Sequence, residues 1–255
     1  MTRDTLFADP RRMIVDFAFD EKVAAVFPDM IRRSVPGYAE IVALTALFAE
    51  HYAQPGSRIY DLGCSLGAAT LAMLRRLPHG DCRILAVDNS EAMLAQARNH
   101  LAGEARASQV EFHYADIREL EIEDASLVVM NFTLQFIDPA DRLPLLEKIH
   151  AGLRPGGLLL LSEKLAFAND FTEDFHQTMH QAFKRANGYS ELEIAGKRSA
   201  LERILVPDTL EQHRNRLQVA GFTRVEPWFQ CFNFASLACF RDHPVNQPTG
   251  QPRPR

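Results

Sequence analysis

The chain has 255 residues, of which 47% are hydrophobic and 24% charged, with a formal net charge of -5 at pH 7. This composition predicts an ordinary globular protein that buries a core. Because there is no broad positive field, salt-driven binding to nucleic acid is disfavoured as the main activity. The N-terminus lacks the apolar core of a secretory signal, and apolar runs such as residues 157–161 are too short to cross a bilayer. We therefore expect a cytoplasmic protein without membrane contact.

Cysteines and paired histidines give no metal motif. Four cysteines form no Cys-x-x-Cys pair, so reduced thiols and no zinc are expected; they are Cys64, Cys82, Cys231 and Cys239. His176 and His180 have the i, i+4 spacing of a metal pair, but they lack an intervening glutamate and a third ligand. We interpret the two histidines as a feature of a helix surface and expect no bound metal.

The first 50 residues are predicted to form a helical cap, with a turn at Pro36-Gly37 so that Tyr38 opens the second helix. Residues 1–242 are expected to form one Rossmann-like domain, with the cap at 1–50 and a helical insertion at 166–206. The tail, residues 243–255, is rich in Pro, Gln and Arg and is expected to be disordered.

From residue 57 onward, apolar runs and helical segments alternate. Near-continuous apolar runs indicate strands covered on both faces, and the alternation predicts a doubly wound, mostly parallel α/β sheet. The predicted strands are 57–61, 82–88, 110–116, 126–131 and 157–162, and the predicted helices are 68–77, 91–101 and 141–153, with a turn at 154–157. Residues 171–200 are predicted to be helical, a further helix ends at Gly221, and strands near 223–228 and 232–240 are expected to form an antiparallel edge.

The loop Asp61-Leu-Gly-Cys-Ser-Leu-Gly67 follows the first strand and opens the first helix of the alternation. Gly63 suits a sharp backbone turn close to a ligand, and Gly67 suits close packing of helix and strand. A pyrophosphate-binding loop prefers glycine where Ser65 stands, and Asp61 would repel phosphates. The same two side chains suit the amino-acid end of S-adenosyl-L-methionine, whose ammonium Asp61 would attract.

Polar side chains also end the next three strands. Asp88, followed by Asn89, lies where a carboxylate accepts the ribose hydroxyls in Rossmann folds. Asp116 and Ile117 suit the exocyclic amine and the ring face of adenine, and Asn131 ends the fourth strand beneath the sulfonium. Ligands bind beyond the carboxyl ends of such strands, so this ordered set predicts an S-adenosyl-L-methionine site.

Several longer strings resemble the carboxy-S-adenosyl-L-methionine synthase family, from the N-terminus to about residue 240. They are Phe27-Pro-Asp-Met-Ile31, Ser34-Val-Pro-Gly-Tyr38, Tyr60-Asp-Leu-Gly-Cys-Ser-Leu-Gly-Ala-Ala-Thr70, Asn131-Phe-Thr-Leu-Gln-Phe136, Phe183-Lys-Arg-Ala-Asn-Gly-Tyr-Ser-Glu-Leu-Glu193 and Trp228-Phe-Gln-Cys-Phe-Asn-Phe234. The resemblance implies a class I methyltransferase fold, but a reaction other than methyl transfer.

In that family, S-adenosyl-L-methionine and prephenate give carboxy-S-adenosyl-L-methionine, phenylpyruvate and water. The product is the carboxymethyl donor for a tRNA wobble uridine, used by a separate enzyme, and the resemblance also implies a homodimer. The positions that match the family's cofactor contacts are Tyr38, Gly63, Cys64, Ser65, Asp88, Asn89, Asp116, Ile117, Asn131 and Arg198. The tail is not part of the family's pattern.

The chemistry that the resemblance implies needs a dry site for two reactants and their carboxylates more than a strong nucleophile. A positive sulfur acidifies its methyl group, and the resulting ylide would capture the carbon dioxide that prephenate loses. We expect Arg198 to pair with the new carboxylate and Tyr38 to cover the sulfonium. Lys197 or Arg185 are candidates to receive dianionic prephenate, and no side chain is identifiable as the proton acceptor.

Two other functions remain open at this stage. An ordinary methyltransferase acting on a small molecule or RNA would share the whole cofactor site and differ in its acceptor pocket. A non-catalytic cofactor-binding partner of a tRNA-modifying enzyme would yield no product from S-adenosyl-L-methionine and prephenate. Mass spectrometry of the nucleoside that elutes with the purified protein separates the first alternative from carboxylation.

Overall fold

The computed structural model describes residues 2–7, 19–201 and 204–242. Helix α1 (Glu21–Ser34) begins at Asp20, whose side chain accepts a hydrogen bond from the Val23 amide, an ordinary N-cap. Helix α2 (Tyr38–Tyr52) follows a turn in which Gly37 has a φ of 77°. A Cβ on Gly37 would overlap the Phe229 ring, so glycine is required there both by conformation and by space. The prediction that Tyr38 opens the second helix is confirmed.

The predicted alternation of strands and helices is present. Strand bounds are β1 (Arg58–Leu62), β2 (Arg83–Asp88), β3 (Val110–Tyr114), β4 (Ala125–Asn131), β5 (Leu153–Ala166), β6 (Asp208–Thr209), β7 (Arg224–Cys231) and β8 (Phe234–Phe240). The later helices are α3 (Ala68–Arg76), α4 (Glu91–Leu101), α5 (Pro139–Gly152), α6 (Asp170–Ala186), α7 (Glu191–Leu201) and α8 (Leu210–Val219). Helix α4 has the predicted bounds, and Ser90 caps its N-terminus by accepting from the Met93 amide at 3.2 Å.

The strands form one sheet with the order β3-β2-β1-β4-β5-β8-β7, and β6 pairs with β5. Strands β1 to β5 are parallel, whereas β8 runs antiparallel between β5 and β7. This topology confirms the predicted α/β Rossmann-like sheet with an antiparallel edge. The strand order reverses between β1 and β4, which is where the carboxyl ends of an open sheet create a binding crevice.

The central strands are buried on both faces. Val128 and Met130 of β4 belong to the core on one face, whereas their neighbours Leu127 and Val129 belong to the core on the other. All four side chains are fully buried. This double burial explains why these strands are continuous apolar runs rather than alternating ones.

Two local predictions were wrong. Residues 154–157 are not a turn but part of β5, where Gly156 has a φ of 77° and the register with β4 shifts. Arg241 holds this bulge in the sheet, because its backbone bonds to Gly156 and Gly157 at 3.0 and 2.9 Å. Residues 171–200 are helical, as predicted, and form two helices with Gly188 at a φ of 84° between them.

The second wrong prediction concerns the histidine pair on α6. His180 is buried and lies with Nε2 2.7 Å from the Ser34 carbonyl oxygen. His176 stacks on Phe167, with ring centroids 4.3 Å apart. Both rings therefore face the protein rather than solvent, because α6 packs on α1 and His176 stacks on Phe167 in the loop after β5.

Within the described ranges, no helix combines the length and apolarity that a membrane crossing requires. The tail at residues 243–255, expected to be disordered, lies outside the described residues.

Candidate active site

A cavity of about 920 Å³ opens beyond the carboxyl ends of β1, β2 and β4 and extends to α1, α6 and α7. The residues that the sequence assigned to the nucleoside site, together with Arg198, all line it. These residues are Tyr38, Asp61, Gly63, Cys64, Ser65, Asp88, Asn89, Asp116, Ile117, Asn131 and Arg198. The tertiary structure thus brings together side chains that are up to 160 positions apart in the chain.

The loop after β1 is shaped by two residues with positive φ, Gly63 at 78° and Ser65 at 54°. A Cβ on Gly63 would overlap the Thr133 side chain, so the tight approach that requires glycine is to protein atoms. Ser65 adopts a left-handed conformation that glycine would adopt more readily. The φ of Ser65 turns its amide toward Asp88, to which the amide donates at 2.8 Å.

Gly67, at a φ of 76°, precedes α3. A Cβ there would lie 3.1 Å from Leu101 and 3.3 Å from Ala97, both on α4. The close packing expected at Gly67 is therefore against a neighbouring helix rather than against the strand.

Asp61 ends β1 and is 2% exposed, with Oδ2 accepting from the Thr70 hydroxyl at 2.5 Å. Burial raises the pKa of Asp61 to about 6, although the bonds from Thr70 oppose the rise and the Asp88 charge adds to it. A cation bound in the cavity would hold this carboxylate ionised. Asp61 is therefore a fitting partner for an ammonium group.

Asp88 ends β2 and accepts two backbone bonds, from Ser65 at 2.8 Å on one oxygen and from Ser90 at 2.9 Å on the other. Burial raises its pKa, while these amides and that of Asn89 counteract the rise. Each oxygen keeps a second acceptor position, so a pair of vicinal hydroxyls fits this carboxylate. The two amides fix its orientation before any ligand binds.

Asp116 follows β3 and already has a basic partner. Its oxygens accept from Arg118 at 2.6 and 3.1 Å, and these bonds hold the pKa of Asp116 below its usual value. The neighbouring Ile117 is buried and contributes an apolar wall. A carboxylate kept ionised beside an apolar wall suits a flat ring that carries an amino group.

Asn131 ends β4, where its Oδ1 accepts from Ser162 at 2.8 Å. Its buried Nδ2 has no hydrogen-bond partner among the described residues. A buried donor without an acceptor is costly unless a ligand or water satisfies it. Asn131 therefore offers a donor to whatever occupies this part of the cavity.

Tyr38 and Cys64 both lie close enough to Asp61 to be affected by its charge. Burial and the nearby Asp61 charge raise the pKa of Tyr38, so its phenol stays protonated, and its ring lies 6.3 Å from that of Phe132. Burial and the charges of Asp61 and Asp88 likewise raise the pKa of the Cys64 thiol. A thiolate nucleophile at Cys64 is disfavoured by this electrostatic setting.

Arg198 lies on α7 and lines the same cavity. The side-chain oxygen of Gln177, with its amide oriented for hydrogen bonding, accepts from Nη1 at 2.7 Å and from Nη2 at 3.3 Å. Arg198 is exposed but borders the cavity, so its guanidinium is accessible to an anion there. A planar guanidinium suits a carboxylate in a bidentate arrangement.

The structure places Arg185 and Lys197, the two residues suggested for receiving dianionic prephenate, in different surroundings. Arg185 is exposed, pairs with Glu191 and does not line the cavity, so that suggestion was wrong. Lys197 does line it, but its ammonium is engaged with Asp4 at 3.2 Å and with the Tyr189 hydroxyl at 2.9 Å. Burial lowers the pKa of Lys197 to about 8 despite the Asp4 charge.

Other cavity residues escaped the sequence analysis, among them Lys164, Gln177, His180, Lys184 and Asn233. They come from β5, from α6 and from the turn between β7 and β8, and these segments meet only in the folded chain. Only Lys184 and Asn233 of these five have a sequence signal, and it is indirect, since both fall within strings that carry the family resemblance.

Glu163 supports the site from behind. Its oxygens accept from the amides of Leu134 and Gln135 at 2.9 Å each and so hold the loop after β4. Burial raises the pKa of Glu163 to about 8, against the effect of these amides and of Arg142.

Within the described part of the chain, no group of three or more His, Cys, Asp or Glu side chains is arranged to hold a metal ion. The four cysteines are free thiols, and Cys64, Cys82 and Cys239 are buried.

Comparisons with known proteins give two levels of similarity. The model of the methyltransferase domain family matches residues 59–157, a segment that contains most of β1, the glycine loop and β2 to β4. Among solved structures, the S-adenosylmethionine-dependent methyltransferase SibL is 19% identical with a TM-score of 0.60, covering 95% of this chain and 63% of its own. Magnesium protoporphyrin IX methyltransferase of Synechocystis is 15% identical with a TM-score of 0.59, covering 84% of this chain and 87% of its own. These likenesses show the class I methyltransferase fold.

Much stronger similarity links the chain to curated proteins. The carboxy-S-adenosyl-L-methionine synthase of Geobacter metallireducens is 58% identical over 93% of this chain and 98% of its own length. The protein of the same name from Salmonella paratyphi B is 53% identical over 94% of this chain and 97% of its own.

Proposed function

The chain belongs to the carboxy-S-adenosyl-L-methionine synthase family, and we propose that it converts S-adenosyl-L-methionine and prephenate into carboxy-S-adenosyl-L-methionine, phenylpyruvate and water. The observation that carries this proposal is the polarity of the cavity. Carboxylates at or just beyond the ends of β1, β2 and β3 line it, whereas its mutually close cations, Arg198 and three lysines, come from β5, α6 and α7. A cationic nucleoside and an anionic co-substrate therefore each have a complementary wall.

The nucleoside part of the proposal assigns each strand end a role. Asp88 and Asn89 hold the ribose hydroxyls, while Asp116 and Ile117 hold adenine. The loop Gly63, Cys64 and Ser65, with Asp61, holds the methionine moiety. The raised pKa of the buried Asp61 supports this, because an ammonium would relieve the cost of ionising it. The preset orientation of Asp88 supports the ribose role.

At the reacting end, Arg198 binds the carboxylate that becomes attached to the former methyl carbon. When bound, S-adenosyl-L-methionine supplies a methyl group that its sulfonium makes acidic. The transferred group comes from the ring carboxylate of prephenate, which becomes aromatic as its hydroxyl leaves. The proton from the methyl group leaves in the water formed from that hydroxyl, so atoms and charge balance without an external oxidant.

Tyr38 covers the sulfonium, and its raised pKa supports a positioning role for a neutral aromatic ring rather than a role as the base. Asn131 contributes its unsatisfied donor beneath the same centre. The apolar part of the lining, including Phe132 and Ile117, excludes water from the reacting groups.

An isotope experiment tests the function. The purified chain is incubated with S-adenosyl-L-methionine and prephenate labelled with ¹³C in the ring carboxylate, and the nucleoside product is analysed by mass spectrometry. We expect the label in carboxy-S-adenosyl-L-methionine, at one equivalent for each phenylpyruvate formed. Unlabelled S-adenosylhomocysteine, or no product, would contradict carboxylation and leave methyl transfer or a binding role.

The role of Arg198 is tested in the same assay. Arg198→Lys keeps one positive charge but loses the bidentate fork, so we expect at least about a 100-fold loss of kcat/KM for prephenate. Arg185→Ala, which removes an exposed arginine outside the cavity, is the matched control and should stay near the parent. Normal product formation by Arg198→Ala would refute the assignment.

Three further proposals follow from family membership. The chain is active in the cytoplasm, hands its product to a separate tRNA carboxymethyltransferase without contacting nucleic acid itself, and forms a homodimer. The dimer is supported by half-exposed aromatic residues on the edge strand β7, such as Trp228 and Phe229. Light scattering after size exclusion measures the assembly state.

A further inference from the structure

Four cationic side chains crowd one end of the cavity. Lys164 comes from β5, Lys184 from α6, and Lys197 and Arg198 from α7, and all four line the same space. Burial, together with the charges of Lys197, Lys164 and Arg198, lowers the pKa of Lys184 to about 7. Like charges do not gather in a half-buried space unless an anion offsets their repulsion.

The two cations on α7 already have partners. Lys197 is held by Asp4 and Tyr189, and Arg198 by Gln177. In contrast, the ammonium of Lys184 makes no hydrogen bond and no ion pair with any residue that the structure describes. Lys184 therefore has its full donor capacity for a ligand.

The inner face of α6 places Lys184 in relation to the reacting end. Gln177, His180 and Lys184 fall at positions i, i+3 and i+7, which is one helix face. The first of them contacts Arg198, so Lys184 lies two turns, about 10 Å along the helix axis, from the side chain that orients the guanidinium. His180 between them bonds to Ser34 and stays neutral, since burial and the surrounding lysines lower its pKa to about 3.

A second observation points to a polar ligand in this part of the cavity. Asn233 is 3% exposed and lines the cavity, and its Oδ1 has no hydrogen-bond partner among the described residues. Its backbone oxygen accepts from Leu165 at 2.7 Å, which places it beside Lys164 on β5. A ligand with hydroxyl or carboxyl groups would satisfy this amide.

We propose that Lys184 is the specificity-determining residue that receives the carboxylate of prephenate that is not transferred. This inference rests on the proposed function. Arg198 and Lys184 then divide the dianion between them, with Arg198 serving the carboxylate that moves and Lys184 serving the α-keto carboxylate that stays on phenylpyruvate. Two cations at separate carboxylate-binding positions favour a dicarboxylate over a monocarboxylate. They also determine which carboxylate faces the methyl group.

Phenylpyruvate carries only the carboxylate that is retained. Its binding therefore reports on the position at Lys184 separately from the position at Arg198. The full-length parent and the variants Lys184→Gln, Lys184→Arg and Arg185→Ala are assayed for prephenate turnover and for inhibition by phenylpyruvate. For Lys184→Gln we expect KM for prephenate and Ki for phenylpyruvate to rise together by about 10- to 100-fold, the loss typical of one charge-assisted contact. KM for S-adenosyl-L-methionine and kcat at saturating prephenate should change by less than about three-fold.

Lys184→Arg retains the charge and should restore both constants to within about three-fold of the parent, which a purely structural role would not require. Arg185→Ala, on the same helix but paired with Glu191 outside the cavity, should match the parent. Unchanged constants in Lys184→Gln, a fall in kcat without a change in KM, or equal losses in the Gln and Arg variants would each overturn the proposal. Failure of the parent to carboxylate S-adenosyl-L-methionine would instead overturn the proposed function, and this inference with it.

Discussion

The ammonium of Lys197 lies 3.2 Å from a carboxylate oxygen of Asp4, although 193 positions separate the two residues in the chain. Both side chains are almost fully buried, at 3% and 1% exposure. The Tyr189 hydroxyl also donates to the same oxygen of Asp4 at 2.5 Å, and the Asp4 amide donates to Asp29 on α1. This buried network fastens the N-terminal segment and α1 to α7, next to Arg198.

Breaking this pair should be costly. Asp4→Asn leaves the Lys197 ammonium buried without its counter-charge, so we expect a loss of about 3 kcal/mol in the free energy of unfolding, measured with urea. Glu91→Gln, which breaks the exposed pair with Arg98, is the control and should cost less than about 1 kcal/mol. Replacing both partners, as Asp4→Asn with Lys197→Met, should recover part of the loss; equal costs for Asp4→Asn and the control would contradict the network.

The glycine loop gives a second prediction. Gly63→Ala places a methyl group against Thr133 at a φ of 78°, so we expect at least about a 10-fold weaker binding of S-adenosyl-L-methionine in a calorimetric titration. Gly80→Ala is the matched control, because nothing lies within 4 Å of its Cβ position and its φ is not positive. Equal affinities in the two variants would show that the loop adapts without cost.

A third prediction concerns pH and the buried His180. Its folded pKa of about 3 lies below the ordinary 6.5, so the unfolded chain binds more protons between these values. Stability is therefore lost as the pH falls below 6.5. His180→Gln removes this loss, so relative to the parent it should gain about 2 kcal/mol between pH 7 and pH 5.

The measurement is urea unfolding of both proteins across that range. The groups that face His180 are Lys164, Lys184 and Lys197, together with the Ser34 carbonyl, and they are present in both proteins. Glu163, whose raised pKa gives the opposite slope between pH 4.5 and 8, also cancels in the difference. His51→Gln controls for replacing an exposed histidine, and parallel stability curves for His180→Gln and the parent would refute the prediction.

The residues at the nucleoside end of the cavity could be predicted from the sequence, because their positions relative to the strands follow a local sequence pattern. In this fold the nucleoside-binding glycine loop follows the first strand, and the other binding residues end the next strands. Positions such as Asp88 and Asn131 can therefore be identified in the sequence as polar residues that end an apolar run. Even at the nucleoside end, the structural reasons for individual residues differ from those expected from the sequence. Gly63 avoids Thr133, which is 70 residues away, and Asp116 has a partner in Arg118.

The residues at the co-substrate end could not be predicted in this way. The sequences of the two polar helices α6 and α7 contain no local pattern that indicates which helix face lines the cavity. His180 followed the same polar pattern as exposed histidines, and Arg185 and Lys184 are adjacent in the chain, yet only the lysine borders the cavity. Packing against α1 and α7 determines which face of α6 lines the cavity. Along the chain, α1 is more than 100 residues from α6, whereas α7 is only a few residues away.

The sequence by itself determined the parallel sheet, its order of polar strand ends and the family, since these depend on apolar runs and on short motifs. The tertiary structure alone decided which cations meet, that Asp4 neutralises Lys197 and that the Lys184 ammonium bonds to none of the described residues. The physical reason is that electrostatic interactions depend on distance and burial in space, and neither is encoded by spacing along the chain.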